Sequence, residues 1–203
     1  AEYFNGVLEG NGFTIRNMSG DKPLFDKLGE GASISNLKID GEYTIGTASS
    51  EIYFSPFVGR NYGTITNCEN YASVIFNGEY TEKVYAGAFS AYSYAGSKIA
   101  SCINRGAVKF AAASSTANAY LGGISGYCYG DITGCENYGP INGEASSFTA
   151  VYFIGGITPR LQTGAMTDNI VHKEAKIYTN SVSGTGKSYV GGIVGYIDGV
   201  PVT

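Results

Sequence analysis

The stretch GGISGYCYGDITGCENYG, residues 122–139, holds two short motifs that recur along the chain in step. Its first part, GGISGY from Gly122, aligns without gaps with KPLFDK from Lys22, SPFVGR from Ser55, GAFSAY from Gly87, GGITPR from Gly155 and GGIVGY from Gly191. The starts differ by 33, 32, 35, 33 and 36 residues, a period near 34. Its second part, ITGC from Ile132, matches ISNL at Ile34, ITNC at Ile65, IASC at Ile99 and MTDN at Met166, spaced 31, 34, 33 and 34 residues apart. Two motifs that keep phase over five units define a repeat protein.

Within each unit the apolar stretches are only a few residues long and are broken by Gly, Asn and Ser. No unit offers a helix-length run with i, i+3, i+4 spacing, so helical repeats of similar period are excluded. A unit this small cannot bury its apolar face alone. Stacking each round on the next gives a shared core and in-register ladders. The expected fold is therefore all-β: a right-handed parallel β-helix, or β-solenoid, of about six coils of roughly 33–34 residues, with the hand taken from the rule for parallel crossovers. At roughly 4.8 Å per strand the rod would be about 30 Å long.

Composition agrees with strands. The 203 residues include 30 Gly, 17 Tyr and 10 Phe but only 5 Pro and no Trp. The 43% hydrophobic share excludes a disordered chain, and excess Gly without Pro excludes collagen. With 13 Lys and Arg against 17 Asp and Glu, the basic surface that drives nucleic-acid binding is missing. No apolar run reaches the roughly 20 residues of a membrane-spanning helix. The start AEYFNGVLEG lacks the basic and apolar segments of an export signal, which reads as a piece of a longer precursor.

Stacking turns the alignment into columns. Ile34, Ile65, Ile99, Ile132 and Met166 form one apolar column, and Leu37, Cys68, Cys102 and Cys135 another. Asn169 departs from the second, which suggests a one-residue shift that places Ile170 inside. Asn70, Asn104 and Asn137 read as turn residues whose amides bond along the rod. The double glycines at 122–123, 155–156 and 191–192 mark a corner where a side chain would collide or where positive φ is needed. Parallel Cβ vectors suit a disulfide poorly, so reduced, buried thiols are expected at Cys68, Cys102 and Cys135. A single His and no CxxC pair leave a metal without a ligand set, and no cofactor is implied.

The whole of residues 1–203 reads as one domain. Residues 1–20 form an opening cap, with TIRN placed 19 residues before ISNL. Residues 21–203 are repeats, expected to continue past Pro201 or to meet another domain. Five stretches of variable length, residues 46–52, 77–84, 111–119, 143–150 and 180–188, are expected to protrude as loops.

At this point a resemblance can be stated. FNGVLEGNGFTI at residues 4–15, LF at 24–25, and GGISGY, GGITPR and GGIVGY interleaved with ITNCEN and ITGCEN resemble the GLUG-motif repeat proteins of bacterial surfaces. These are common in gut Bacteroidetes and occur in some streptococcal surface proteases. The Gly-Leu core of that motif is replaced here by Gly-Ile or Ala-Phe. The resemblance implies an extracellular, secreted or surface-attached repeat segment acting in adhesion or presentation, next to flanking domains of a longer chain, and it carries over no catalytic residue.

For chemistry, the column Tyr71, Arg105, Tyr138 and His172, just after the Asn turn, is the candidate binding strip. Aromatic and Arg side chains there could meet a glycan or a surface protein. A second row, Tyr53, Tyr85, Tyr120, Phe153 and Tyr189, precedes the glycine corner. Lys27, Arg60 and Arg160 share a column with Tyr92, Tyr127 and Tyr196, read as a solvated face. The rival reading is a polysaccharide-processing β-helix enzyme, a lyase or glycoside hydrolase, using Glu69 and Glu136 two coils apart. Against it, Ile103 interrupts that column and His172 has no Ser or Cys partner in the sequence. A module pairing through its open ends is a third possibility. The expectation is a non-catalytic structural or adhesive segment.

Overall fold

The computed structural model describes residues 2–180 and 184–197. Among them there is no helix, and every strand pair is parallel. The chain winds as a β-solenoid of about 5 turns, since the six motif starts enclose five intervals. Each full round visits four sheets. The first sheet carries Phe25–Leu28, Val58–Asn61 and Ser90–Ser93, and the second Ser33–Ser35, Thr64–Thr66, Lys98–Ala100 and Asp131–Thr133. A 10-stranded third sheet follows, and the fourth holds Ile52–Phe54, Val84–Ala86, Ala119–Gly122, Val151–Gly155 and Lys187–Gly191.

Registers follow the motif spacing. Ile34 pairs with Ile65, Ile65 with Ile99, Ile99 with Ile132, and Ile132 with Met166. The four isoleucines are fully buried, as are the three cysteines of the neighbouring column. All four cysteines are free thiols.

Two turns flank this column pair, and each has a chemical cause. After the isoleucine strand, Asn36, Asn67, Ser101, Gly134 and Asp168 adopt φ of 52°, 51°, 54°, 61° and 57°. Short polar residues and Gly tolerate that left-handed conformation best, which explains the third letter of ISN, ITN, IAS, ITG and MTD. At the next turn Asn70, Asn104 and Asn137 are buried. Each accepts a bond from the amide two residues on and donates to the carbonyl there. The remaining amide hydrogens run along the rod, Asn70 to Asn104 at 2.9 Å and Asn104 to Asn137 at 2.8 Å.

The double glycines from Gly122 to Gly191 are steric, not conformational. None of them has positive φ, yet a Cβ on Gly123 would strike the Gly156 carbonyl of the next round, and one on Gly122 the Ser125 carbonyl of its own.

Four sequence expectations need correction. The fifth unit keeps its register, with Glu136 opposite Ile170. Asn169 stays in the cysteine column because its side chain bonds the Cys135 amide and the Ile132 carbonyl of the round below, and Ile170 is 50% exposed. In the opening round Val7–Glu9, not TIRN, tops the isoleucine column, with Leu8 on Ile34. Thr14–Gly20 lies instead on Lys38–Ile45.

The third concerns the variable stretches, which do not simply protrude. Tyr80, Ala112, Ala145 and Phe148 from them are buried and close the core. Glu79–Tyr80 pairs with Ser114–Ser115, and the Tyr80 hydroxyl donates to the Ile45 carbonyl at 2.6 Å. The fourth is the Lys27, Arg60, Tyr92 column, which is not a solvated face, as its packing below makes clear. Part of the stretch 180–188, and the chain past Pro201, lie outside the described residues.

Candidate functional site

The third sheet sets out the strip. Because Asn70, Asn104, Asn137 and Val171 are in register, the residues that follow them stand in one column: Tyr71, Arg105, Tyr138 and His172. The structure brings all four together. The Arg105 guanidinium lies 6.0 Å from the Tyr71 ring and 4.6 Å from the Tyr138 ring. Tyr138 stacks on His172 at 3.7 Å with 8° between the rings. Tyr71 is 40% exposed.

Carboxylates anchor the strip from the positions two residues earlier. Glu69 accepts from the Tyr71 hydroxyl at 2.5 Å and pairs with Lys38 at 2.7 Å. Glu136 accepts from the Tyr138 hydroxyl at 2.9 Å and contacts His172 Nε2 at 2.8 Å. Lys38, then Tyr71, hold the Glu69 carboxyl below its ordinary range, and His172, then Tyr138, do the same for Glu136. A carboxyl held down in this way stays ionised near neutral pH, and so cannot give up a proton as a general acid there. Ile103 sits between the two in the ladder.

The column also dictates what the strip can offer. Rings stacked along the rod cover one another's faces and leave their edges to solvent. A sugar that packs on an aromatic face therefore finds no room between rungs. On the side away from Arg105, however, Tyr71 borders a groove of volume ≈ 280 Å³ with Thr14, Arg16, Lys38 and Asp40. There an aromatic ring and mixed charges converge.

The second aromatic row is closed over its middle, while Tyr189 at its end is 41% exposed. Tyr53, Tyr85, Tyr120, Phe153 and Tyr189 stack at 4.9, 4.9, 4.8 and 5.2 Å, but Tyr85, Tyr120 and Phe153 are only 6%, 4% and 8% exposed. Their cover is the column beside them. Tyr92 and Tyr127 stack at 5.0 Å and meet Tyr85 edge-on, so the outer surfaces of the first and fourth sheets fold onto each other across the glycine corner. Arg60 joins this packing, 4.3 Å from the Tyr53 ring and 3.4 Å from the Asp26 carboxylate. Burial pushes the Tyr85 and Tyr92 hydroxyls well above the ordinary phenol range, and burial, partly offset by Arg160, takes Tyr127 to about 12.

Sequence reading missed a third row in this corner, Tyr62, Tyr94 and Tyr129, with Tyr62 on Tyr94 at 4.0 Å. Their spacing of 32 and 35 residues matches the motif starts at Ser55, Gly87 and Gly122, which was the available signal. Among the described residues no cluster of three His, Cys, Asp or Glu could hold a metal ion.

What the fold and strip define is a class by architecture: a parallel β-solenoid with an exposed aromatic and cationic column. Compared with known proteins, the chain matches no family model, no curated protein and no solved structure.

Proposed function

We propose that this chain is a non-catalytic, adhesive segment of a secreted or surface-attached bacterial protein of the GLUG-motif kind, a right-handed β-helix that displays a binding strip on its third sheet. The carrying observation is the Tyr71 groove at the end of the strip. Tyr71 offers a ring to the apolar face of a sugar or to a protein side chain, while Arg16, Lys38 and Asp40 supply donors and acceptors at its rim. Arg105, Tyr138 and His172 stiffen the column behind it, so little side-chain freedom is lost on binding.

The rival enzyme reading draws less support. It needs one carboxyl of the Glu69 and Glu136 pair to carry a proton, and both are held ionised by their neighbours. Glycan-array and host-protein binding compared between the wild type and Tyr71→Ala tests the proposal. A loss of about tenfold, the equivalent of roughly 1.4 kcal/mol, is expected on removing the ring. Unchanged binding across both arrays would sink it.

A further inference from the structure

The fourth sheet has an uncovered edge. In the opening round Tyr3–Phe4, Val7–Glu9 and Thr14–Gly20 cover Phe25–Leu28, Ser33–Ser35 and Lys38–Ile45 of the other three sheets. The order of the fourth sheet ends at Ile52–Phe54 among the described residues. The cause is chain length. Gly20 pairs with Tyr43, and the Leu24 amide then bonds the Pro56 carbonyl at 3.0 Å. Residues 21–23 thus cross a gap that the following round fills with residues 44–55. Over the bare strand lies a cleft of volume ≈ 400 Å³, walled by Asp26, Glu51, Ile52, Tyr53, Phe54 and Arg60.

Alternate residues of a parallel strand turn their backbone groups to opposite sides. The Ile52 amide donates to the Lys83 carbonyl at 2.9 Å, and the Phe54 carbonyl accepts from Gly87 at 3.4 Å, so both residues face the sheet. Tyr53 therefore turns its N–H and C=O outward to the cleft. That is one donor and one acceptor, spaced for a parallel strand.

We propose that this cleft binds an extended peptide, which adds to the sheet as a strand parallel to Ile52–Phe54 and carries an aromatic residue between two apolar ones. The occupant's chemistry is read from the sheet it joins. Ile52-Tyr53-Phe54, Val84-Tyr85-Ala86, Ala119-Tyr120-Leu121 and Tyr152-Phe153-Ile154 all place an aromatic residue outward between apolar residues that enter the core. The Tyr53 N–H would donate to the carbonyl before the peptide's aromatic residue, and the Tyr53 C=O would accept from the N–H after it. The incoming ring, one rung of about 4.8 Å from Tyr53, would take the ring face that the Arg60 guanidinium covers at 4.3 Å, with Arg60 turning aside toward the Asp26 carboxylate it already meets at 3.4 Å. Backbone bonds supply affinity in this mode and the side-chain alternation supplies selectivity.

The test uses the whole chain, a peptide copying residues 118–123, and the same peptide with Leu121→Pro, which lacks the N–H that Tyr53 needs. Saturating peptide is expected to slow hydrogen exchange at the Tyr53 amide by about tenfold and to leave Ile52 and Phe54 unchanged. The proline peptide is expected to do nothing, and Arg60→Ala, which clears the open face of the Tyr53 ring, is expected to strengthen binding of the first. Three results would overturn the proposal: no slowing at Tyr53, equal slowing by both peptides, or slowing that rises with protein concentration without peptide. The last would make a second copy of the chain the occupant.

Discussion

Asn70 donates through Nδ2 to Oδ1 of Asn104 at 2.9 Å, across 34 residues of chain and one turn of the rod. The bond is one rung of a buried amide ladder in which every member also closes its own turn. Asn104→Ala removes four buried bonds, to the Gly106 amide and carbonyl and to Asn70 and Asn137, and leaves one amide hydrogen of Asn70 without its acceptor. Urea unfolding is expected to show a loss of about 3 kcal/mol. Asn104→Asp should cost more, because a carboxylate would then face the Asn137 Oδ1 and the Gly106 carbonyl. A loss under about 0.5 kcal/mol would mean that water replaces the ladder.

Gly123 and Gly192 occupy the same corner in different rounds, and their surroundings differ. A Cβ on Gly123 meets the Gly156 carbonyl and the Asn137 side chain, whereas one on Gly192 meets nothing within 4 Å among the described residues. Gly123→Ala is expected to lower stability by at least about 2 kcal/mol, and Gly192→Ala to leave it nearly unchanged. Thermal melts of the two variants decide whether the corner glycines serve clearance or backbone freedom.

Burial closes the cysteines to reagents. Cys68, Cys102, Cys128 and Cys135 are fully buried; burial pushes the Cys102 thiol up and takes Cys128 to about 12. The contact with Cys102 holds Cys68 and Cys135 below the ordinary thiol range, so access and not thiol acidity is what protects them. A thiol reagent at mildly alkaline pH is expected to label none of them until denaturant is added. Rapid labelling of the native chain would place at least one of them at the surface.

The strip carboxylates make stability depend on acid. Glu69 and Glu136 have folded values below the ordinary 4.5, so their contribution is fully present above that pH. It is lost as the pH falls through their lowered folded values. The double variant Glu69→Gln, Glu136→Gln is therefore expected to show a flatter acid limb in stability against pH. Coincident acid limbs would show that these carboxylates contribute nothing to the balance.

The columns were legible because a repeat aligns its own equivalents. Ile65 over Ile99 and Asn70 over Asn104 follow from spacing alone. Ring orientation did not follow, since a column gives neighbours without saying whether faces or edges meet solvent. For the same reason Tyr85 and Tyr120 looked available in the sequence, whereas Tyr92 and Tyr127 from another sheet cover them. That cover depends on the angle at the glycine corner, which no single column encodes. Asn169 misled in the opposite direction: its polarity suggested a shifted register, but its amide found backbone partners in the round below and kept its place.

The ladders also decide how the rod yields to traction. The strands run around the rod and their hydrogen bonds lie along it, so pulling two turns apart loads one rung at a time instead of shearing many together. Such a rod gives way by successive peeling, releasing about 34 residues of slack with each turn. In the adhesive role proposed above, it would thus dissipate sudden loads in small steps while the turns still wound keep their shape.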